Sequence, residues 1–135
     1  MEEQLVFVYG TLKSGFNNNI LLSDSKLVGP GVTDDMYVMY EDGIPYVSKS
    51  SKQSQISGEI YLVDGHTLED LDMLEGHPQW YKREKTKVTY FDTEGELITD
   101  YAWLYFNEHI PNRARLNNTG IYGHKKSSRL NALLF

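Results

Sequence analysis

Residues 4–15 read Gln4-Leu5-Val6-Phe7-Val8-Tyr9-Gly10-Thr11-Leu12-Lys13-Ser14-Gly15, and the rest of the chain is organised around them. Leu5 to Tyr9 is a short, nearly continuous apolar run rich in β-formers, the pattern of a central strand covered on both faces. Gly10 ends it, and a segment bounded by Gly10 and Gly15 cannot continue as a regular strand. Both glycines are placed to supply φ > 0 and to let the backbone approach a ligand. Asn17-Asn18-Asn19 then offers capping groups to a short helical stretch through Ile20, Leu21 and Leu22. The unit is strand–turn–helix, and such a turn presents consecutive N–H donors to an anion or a developing oxyanion. It is not a phosphate loop, because Phe16 and Asn17 stand where Lys and Ser or Thr are required. Taken alone, a strand ending in a glycine turn is more often structural than functional.

Downstream, Met36 to Tyr40 and Ile44 to Val47 flank Glu41-Asp42-Gly43, and an Asp-Gly pair between β-formers signals a hairpin. Ser48 to Ser54 is polar and reads as a mobile loop. Ile56 to Val63 reads as a strand, and Thr67 to Glu75 as a helix stopped by Gly76 and Pro78. Tyr81 to Phe91 and Leu97 to Phe106 read as two long strands joined through Asp92 to Glu96. Strands outnumber helices. From Pro111 the tail is polar until Leu130 to Phe135, whose apolar end is expected to dock onto the body.

The helix carries the most informative anomaly. At roughly 100° per residue, with Leu68 at zero, Leu71 falls near 300°, Leu74 near 240° and Glu75 near 340°. Glu75 thus lies within the stripe that the helix must bury, while Glu69 and Asp70 point to water. An ionised carboxylate there is costly without a partner, and both desolvation and the helix's negative C-terminal end push it toward accepting a proton near neutral pH. Two plain alternatives stand beside a catalytic role: Glu75 pairs with Arg83 or Lys82, or the helix ends early and releases it to solvent.

Composition narrows the chemistry. A chain of 135 residues, 40% of them hydrophobic, suits one domain with one core. With no cysteine, a thiol nucleophile, Cys-ligated zinc, an iron–sulfur cluster and disulfides are excluded. Met1-Glu2-Glu3-Gln4 leads straight into the first strand, so no signal peptide is expected, no apolar run is long enough to span a bilayer, and the expected location is cytoplasmic. The net charge of −6 argues against nucleic acid. Lys82 to Lys87 alternates with Glu84 and reads as the solvated face of a strand; Arg113 to Arg129 is the other basic stretch. His66, His77, His109 and His124 lack the i, i+4 spacing of a helical metal site, so a metal hydrolase is disfavoured.

In order along the chain, Val8-Tyr9-Gly10-Thr11-Leu12-Lys13-x-Gly15, Gly58-Glu59-Ile60-Tyr61-x-Val63-Asp64, Leu71-Asp72-x-Leu74-Glu75-Gly76-x-Pro78-x-x-Tyr81-x-Arg83 and Ala102-x-x-Tyr105 resemble the γ-glutamyl cyclotransferase-like family. The threonine–leucine turn is closer to its γ-glutamylamine branch. The resemblance implies an α+β fold: one domain over residues 1–135, a mixed β-barrel of about six strands with short peripheral helices, its core spanning about 4–106 and an extension 107–135. It further implies that Glu75 is the catalytic glutamate, that Tyr9, Gly10, Thr11 and Leu12 hold the γ-glutamyl group, and that Tyr81 and Tyr105 lie near the cavity, although either suits a core. The implied activity needs no cofactor and no metal. It releases 5-oxoproline and a free amine from a small γ-glutamyl substrate, such as a γ-glutamylamine, with neither nucleic acid nor membrane as partner and a monomer as the working expectation. The competing reading is a non-catalytic γ-glutamyl-binding module with the same fold. Beyond Tyr105 the resemblance stops, and Gly120-Ile121-Tyr122-Gly123-His124-Lys125-Lys126 carries no interpretable motif.

Overall fold

The computed structural model describes residues 2–123; His124 and the apolar end Leu130 to Phe135 lie outside the described residues. The strands are β1 (Gln4–Val8), β2 (Lys26–Thr33), β3 (Val38–Glu41), β4 (Pro45–Ser48), β5 (Ser57–Val63), β6 (Lys82–Phe91), β7 (Leu97–Phe106) and β8 (Arg115–Asn117). A 3-10 helix spans Asn17–Leu22, and one α-helix, α1, spans Gly65–Glu75. Five strands close a mixed barrel in the order β1-β5-β2-β6-β7, sealed by a parallel contact between β1 and β7 at Val6 and Trp103. β4-β3-β8 form a separate three-stranded sheet. The expected mixed barrel is therefore present, with five strands rather than six.

β1 is central, as its unbroken apolarity requires. Val6 and Val8 join one buried cluster with Leu12, Leu71, Tyr81 and Tyr105, while Phe7 and Tyr9 join another with Ile60, Val88, Ala102 and Leu104. A strand whose alternate residues enter two cores cannot keep a polar face. The hairpin forms around Asp42-Gly43, with Gly43 at φ 75° and Glu41 opposite Pro45.

Three expectations require correction. No element was expected between Leu22 and Met36, where β2 runs through Gly29-Pro30-Gly31. A Cβ on Gly29 would meet the Phe91 carbonyl at 2.9 Å and one on Gly31 the Ile60 side chain at 3.1 Å, so close packing in the barrel accounts for Gly31 and, together with a φ of 155°, for Gly29. β8 was missed because its three residues pair only with distant β3. The three asparagines do not cap the 3-10 helix, whose N-cap Phe16 makes no side-chain cap bond. Asn18 and Asn19 instead reach back to the glycine turn: their Nδ2 atoms donate to Thr11 Oγ1 and the Leu12 carbonyl, each at 2.8 Å.

Candidate active site

α1 begins at an Asp64 cap whose carboxylate accepts the Thr67 N–H at 2.8 Å, and it ends at Gly76 in the left-handed region, φ 64°. Glu75 is thus its last residue, and the helix does not end early. Leu68 and Leu71 are buried as the helical period requires, whereas Leu74, expected in the same stripe, is 37% exposed. The reason is what lies opposite: beyond Leu71 the helix faces a cavity instead of a packed neighbour, and Leu74 and Glu75 both line it.

This cavity, about 130 Å³ in volume, brings together all the residues singled out from the sequence: Tyr9, Gly10, Thr11, Leu12, Glu75, Tyr81 and Tyr105. It lies where the end of β1 and its turn meet the end of α1, the start of β6 and the hairpin residues Ile44 and Pro45. Tyr81 and Tyr105 belong to the buried core as well, so the structural and the cavity-lining readings both hold for them.

Neither Arg83 nor Lys82 pairs with Glu75. Arg83 donates to both oxygens of Asp72, Nε to Oδ1 at 2.7 Å and a terminal nitrogen to Oδ2 at 3.0 Å, and the Tyr105 hydroxyl also donates to Oδ1 at 2.7 Å. The Arg83 N–H donates to His77 Nδ1 at 3.1 Å. Burial pushes the Asp72 carboxyl upward, but the bonds from Arg83 and Tyr105 outweigh it and hold it below its ordinary value. Among the described residues the Glu75 carboxyl receives no hydrogen bond and no ion pair, and burial alone pushes it up to about 7. That value divides its time between proton acceptor and proton donor near neutral pH.

The opposite wall is backbone. Lys13 N–H closes the turn onto the Gly10 carbonyl at 3.0 Å and Asn18 N–H reaches the Thr11 carbonyl at 3.0 Å. The N–H groups of Gly10, Thr11 and Leu12 have no acceptor among the described residues, and all three residues line the cavity. Gly15 has φ 87° as expected, but Gly10 does not adopt positive φ; its requirement is space, since a Cβ there would lie 2.9 Å from Pro45 Cγ. Three phenols complete the wall with their donors committed: Tyr9 to the Tyr105 carbonyl at 2.6 Å, Tyr81 to the Pro45 carbonyl at 2.8 Å and Tyr105 to Asp72. Burial first, and neighbouring Glu75 among the further causes, push all three phenols above their ordinary range, so they stay neutral.

Sequence reasoning missed Asn18, which lines the cavity and holds the Thr11 hydroxyl, and the role of Asp72. Asp72 sits next to the buried stripe, three residues before Glu75, which was the available signal. No cluster of three or more His, Asp or Glu able to hold a metal occurs among the described residues. No helix among them is long and apolar enough to cross a membrane.

The gamma-glutamyl cyclotransferase, AIG2-like family matches residues 6–123. A protein of Methanocaldococcus jannaschii provisionally named a gamma-glutamylcyclotransferase is 46% identical over 104 residues, 76% of this chain and 83% of that one. The gamma-glutamylaminecyclotransferase of Rattus norvegicus is 34% identical over 99 residues, 67% of this chain and 66% of that one. The crystal structure of an AIG2-like protein from Mus musculus superposes with a TM-score of 0.77 at 26% identity, covering 90% of this chain and 89% of that one.

Proposed function

This chain belongs to the gamma-glutamyl cyclotransferase, AIG2-like family, a family of enzymes acting on γ-glutamyl compounds, and from that premise we propose that it converts a γ-glutamylamine into 5-oxoproline and a free amine. The observation that carries the reading is a half-buried carboxylate, Glu75, with no partner among the described residues, sharing a cavity with Gly10, Thr11 and Leu12, whose backbone N–H groups have no acceptor among those residues.

The chemistry follows from these parts. Ionised Glu75 takes a proton from the substrate's α-ammonium, and the freed nitrogen bonds to the γ-carbonyl carbon of the same molecule. Negative charge gathers on the carbonyl oxygen, where backbone donors stabilise it without reorganising. The amide C–N bond then breaks as protonated Glu75 returns its proton to the departing nitrogen, and the ring nitrogen gives up its second proton, which leaves with the amine as an ammonium while Glu75 is again a carboxylate. Nucleophile and electrophile are tethered, so holding the glutamyl chain in its cyclising shape removes much of the barrier. The turn Tyr9 to Leu12 supplies that hold, with the neutral tyrosines as walls. The balance of charge requires neither cofactor nor metal.

The test is to incubate the purified protein and its Glu75→Gln variant with γ-glutamyl-ε-lysine, other γ-glutamylamines, γ-glutamyl-alanine and glutathione, and to quantify 5-oxoproline by mass spectrometry. Product from the wild type only, with the amines turned over fastest, is the expected result. Equal product from both proteins would remove Glu75 from the mechanism. No product from any donor, by a folded protein, would favour the binding-module reading.

A further inference from the structure

The glycine turn is held in place through its carbonyls. Those of Gly10, Thr11 and Leu12 each meet a donor: the Lys13 N–H at 3.0 Å, the Asn18 N–H at 3.0 Å and Asn19 Nδ2 at 2.8 Å. In a planar trans peptide the C=O and the following N–H point in opposite directions, so a held carbonyl also fixes the next amide. The bonds to the Gly10 and Thr11 carbonyls therefore turn the Thr11 and Leu12 N–H groups away from those donors. The bond to the Leu12 carbonyl sets the Lys13 N–H, which closes the turn onto Gly10. Two of these bonds are backbone to backbone; the third comes from a side chain, Asn19.

Asn19 is held in its turn. Its Nδ2 carries two hydrogens, and the second goes to the buried Tyr61 hydroxyl at 3.0 Å. The hydroxyl's own hydrogen is left for Ser14 Oγ at 3.2 Å or Glu59 Oε1 at 3.5 Å, and Glu59 Oε1 also accepts the Ser14 N–H at 2.7 Å. Glu59 and Tyr61 stand two apart on β5 and so share one face of it. β5 runs antiparallel to β1 with Glu59 opposite Val8, two residues short of Gly10. Gly58 permits that approach, because a Cβ there would collide with the Val8 carbonyl. The motif Gly58-Glu59-Ile60-Tyr61, none of which lines the cavity, is thus tied to the turn that does.

Resting on the cyclotransferase reading, we propose that Asn19, Tyr61 and Glu59 are positioning residues. They hold the Gly10–Gly15 turn so that the Thr11 and Leu12 N–H groups meet the charge that gathers on the γ-carbonyl oxygen, and they act on rate rather than on substrate affinity. Donors already fixed stabilise such charge without reorganising, whereas a turn free to rotate its peptides must give up that motion as the charge forms. The carbonyl of the bound substrate carries less charge than the oxygen in the transition state, so misaligned donors cost more in kcat than in KM.

The test is steady-state kinetics on the γ-glutamyl donor that the wild type turns over fastest, with Asn19→Ala, Tyr61→Phe and the double variant. Tyr37→Phe is the control: it removes a hydroxyl bond, to Thr86 at 2.7 Å, that involves no residue of the turn. Losing one oxyanion donor costs about 10²–10³ in kcat, and loosening donors that remain costs less, so Asn19→Ala should lower kcat about 10- to 100-fold with KM within about threefold. Tyr61→Phe should lower kcat about three- to tenfold, and the double variant should match Asn19→Ala, because Tyr61 acts through Asn19. Tyr37→Phe should keep the wild-type kcat. If Asn19→Ala does not fold, Tyr61→Phe carries the test, since it removes a single oxygen. Unchanged kcat in both single variants, a rise in KM with kcat retained, or an equal loss of kcat in Tyr37→Phe would overturn the positioning role and leave the cyclotransferase reading standing. No 5-oxoproline from any donor with the wild type would overturn both.

Discussion

Asp72 and Glu75 sit one turn apart at the end of α1, each a carboxylate taken partly out of water, and the protein treats them oppositely. Asp72 meets Arg83 through two bonds and Tyr105 through a third, and its proton affinity falls. Glu75 meets a cavity and three neutral phenols, and its proton affinity rises to about 7. Burial pushes both in the same direction; only the partners differ. A partner stabilises the charge and ends its usefulness as a base, so Asp72 can hold Tyr105 and the start of β6 in place while Glu75 stays free to exchange a proton.

The largest effect expected from breaking this contrast is catalytic. Glu75→Gln keeps the shape and removes the titration, and it should cost about two to four orders of magnitude in kcat with the fold retained by circular dichroism. For the wild type, kcat/KM should climb with pH through about 7, where Glu75 loses its proton, and then level. A profile without that limb would assign the titrating group elsewhere.

Next comes the partnered carboxylate. Asp72→Ala leaves Arg83 and the Tyr105 hydroxyl without their acceptor, and it should destabilise the protein by about 1.5–3 kcal/mol in urea unfolding. If stability is unchanged, the pair does not hold β6 against α1.

The contrast also predicts a pH dependence of stability with a definite sign. Folded Glu75 keeps its proton up to about 7, whereas the unfolded group releases it near 4.5. Between those values the folded state binds the proton that the unfolded state has lost, so rising pH removes stability from the wild type. Glu75→Gln has nothing to lose, and relative to wild type it should gain about 1–3 kcal/mol between pH 4 and pH 8, read from paired thermal melts. A constant difference across that range would place Glu75 in solvent.

The smallest effect concerns the other side of the cavity. Tyr122 accepts the Lys13 ammonium on its carbonyl and donates its hydroxyl to the Gly43 carbonyl at 3.0 Å, tying the glycine turn to the hairpin. Tyr122→Phe removes only the second bond and should lower stability by about 0.5–1.5 kcal/mol. No change would mean that the hairpin is positioned by its strand pairing alone.

What the sequence determined by itself is local. Leu5 to Tyr9 announced a doubly covered strand, Thr67 to Glu75 a helix with a carboxylate in its buried stripe, and Asp42-Gly43 a hairpin, because the 2.0 and 3.6 periods and the punctuation of glycine are properties of neighbouring residues. Glu75 was legible for the same reason. Tertiary structure decided the rest. β2 was hidden because its glycines answer to Phe91 and Ile60, residues far away in the chain. Asn18 looked like a cap until the chain folded back on Thr11, and Leu74 looked like core until the cavity opened beside it. Above all, Asp72 and Glu75 are both acids on one helix, and only the position of Arg83, eleven residues beyond Asp72, made one a structural anion and left the other without a partner among the described residues. Charge regulation depends on distance in space, and the sequence records only distance along the chain.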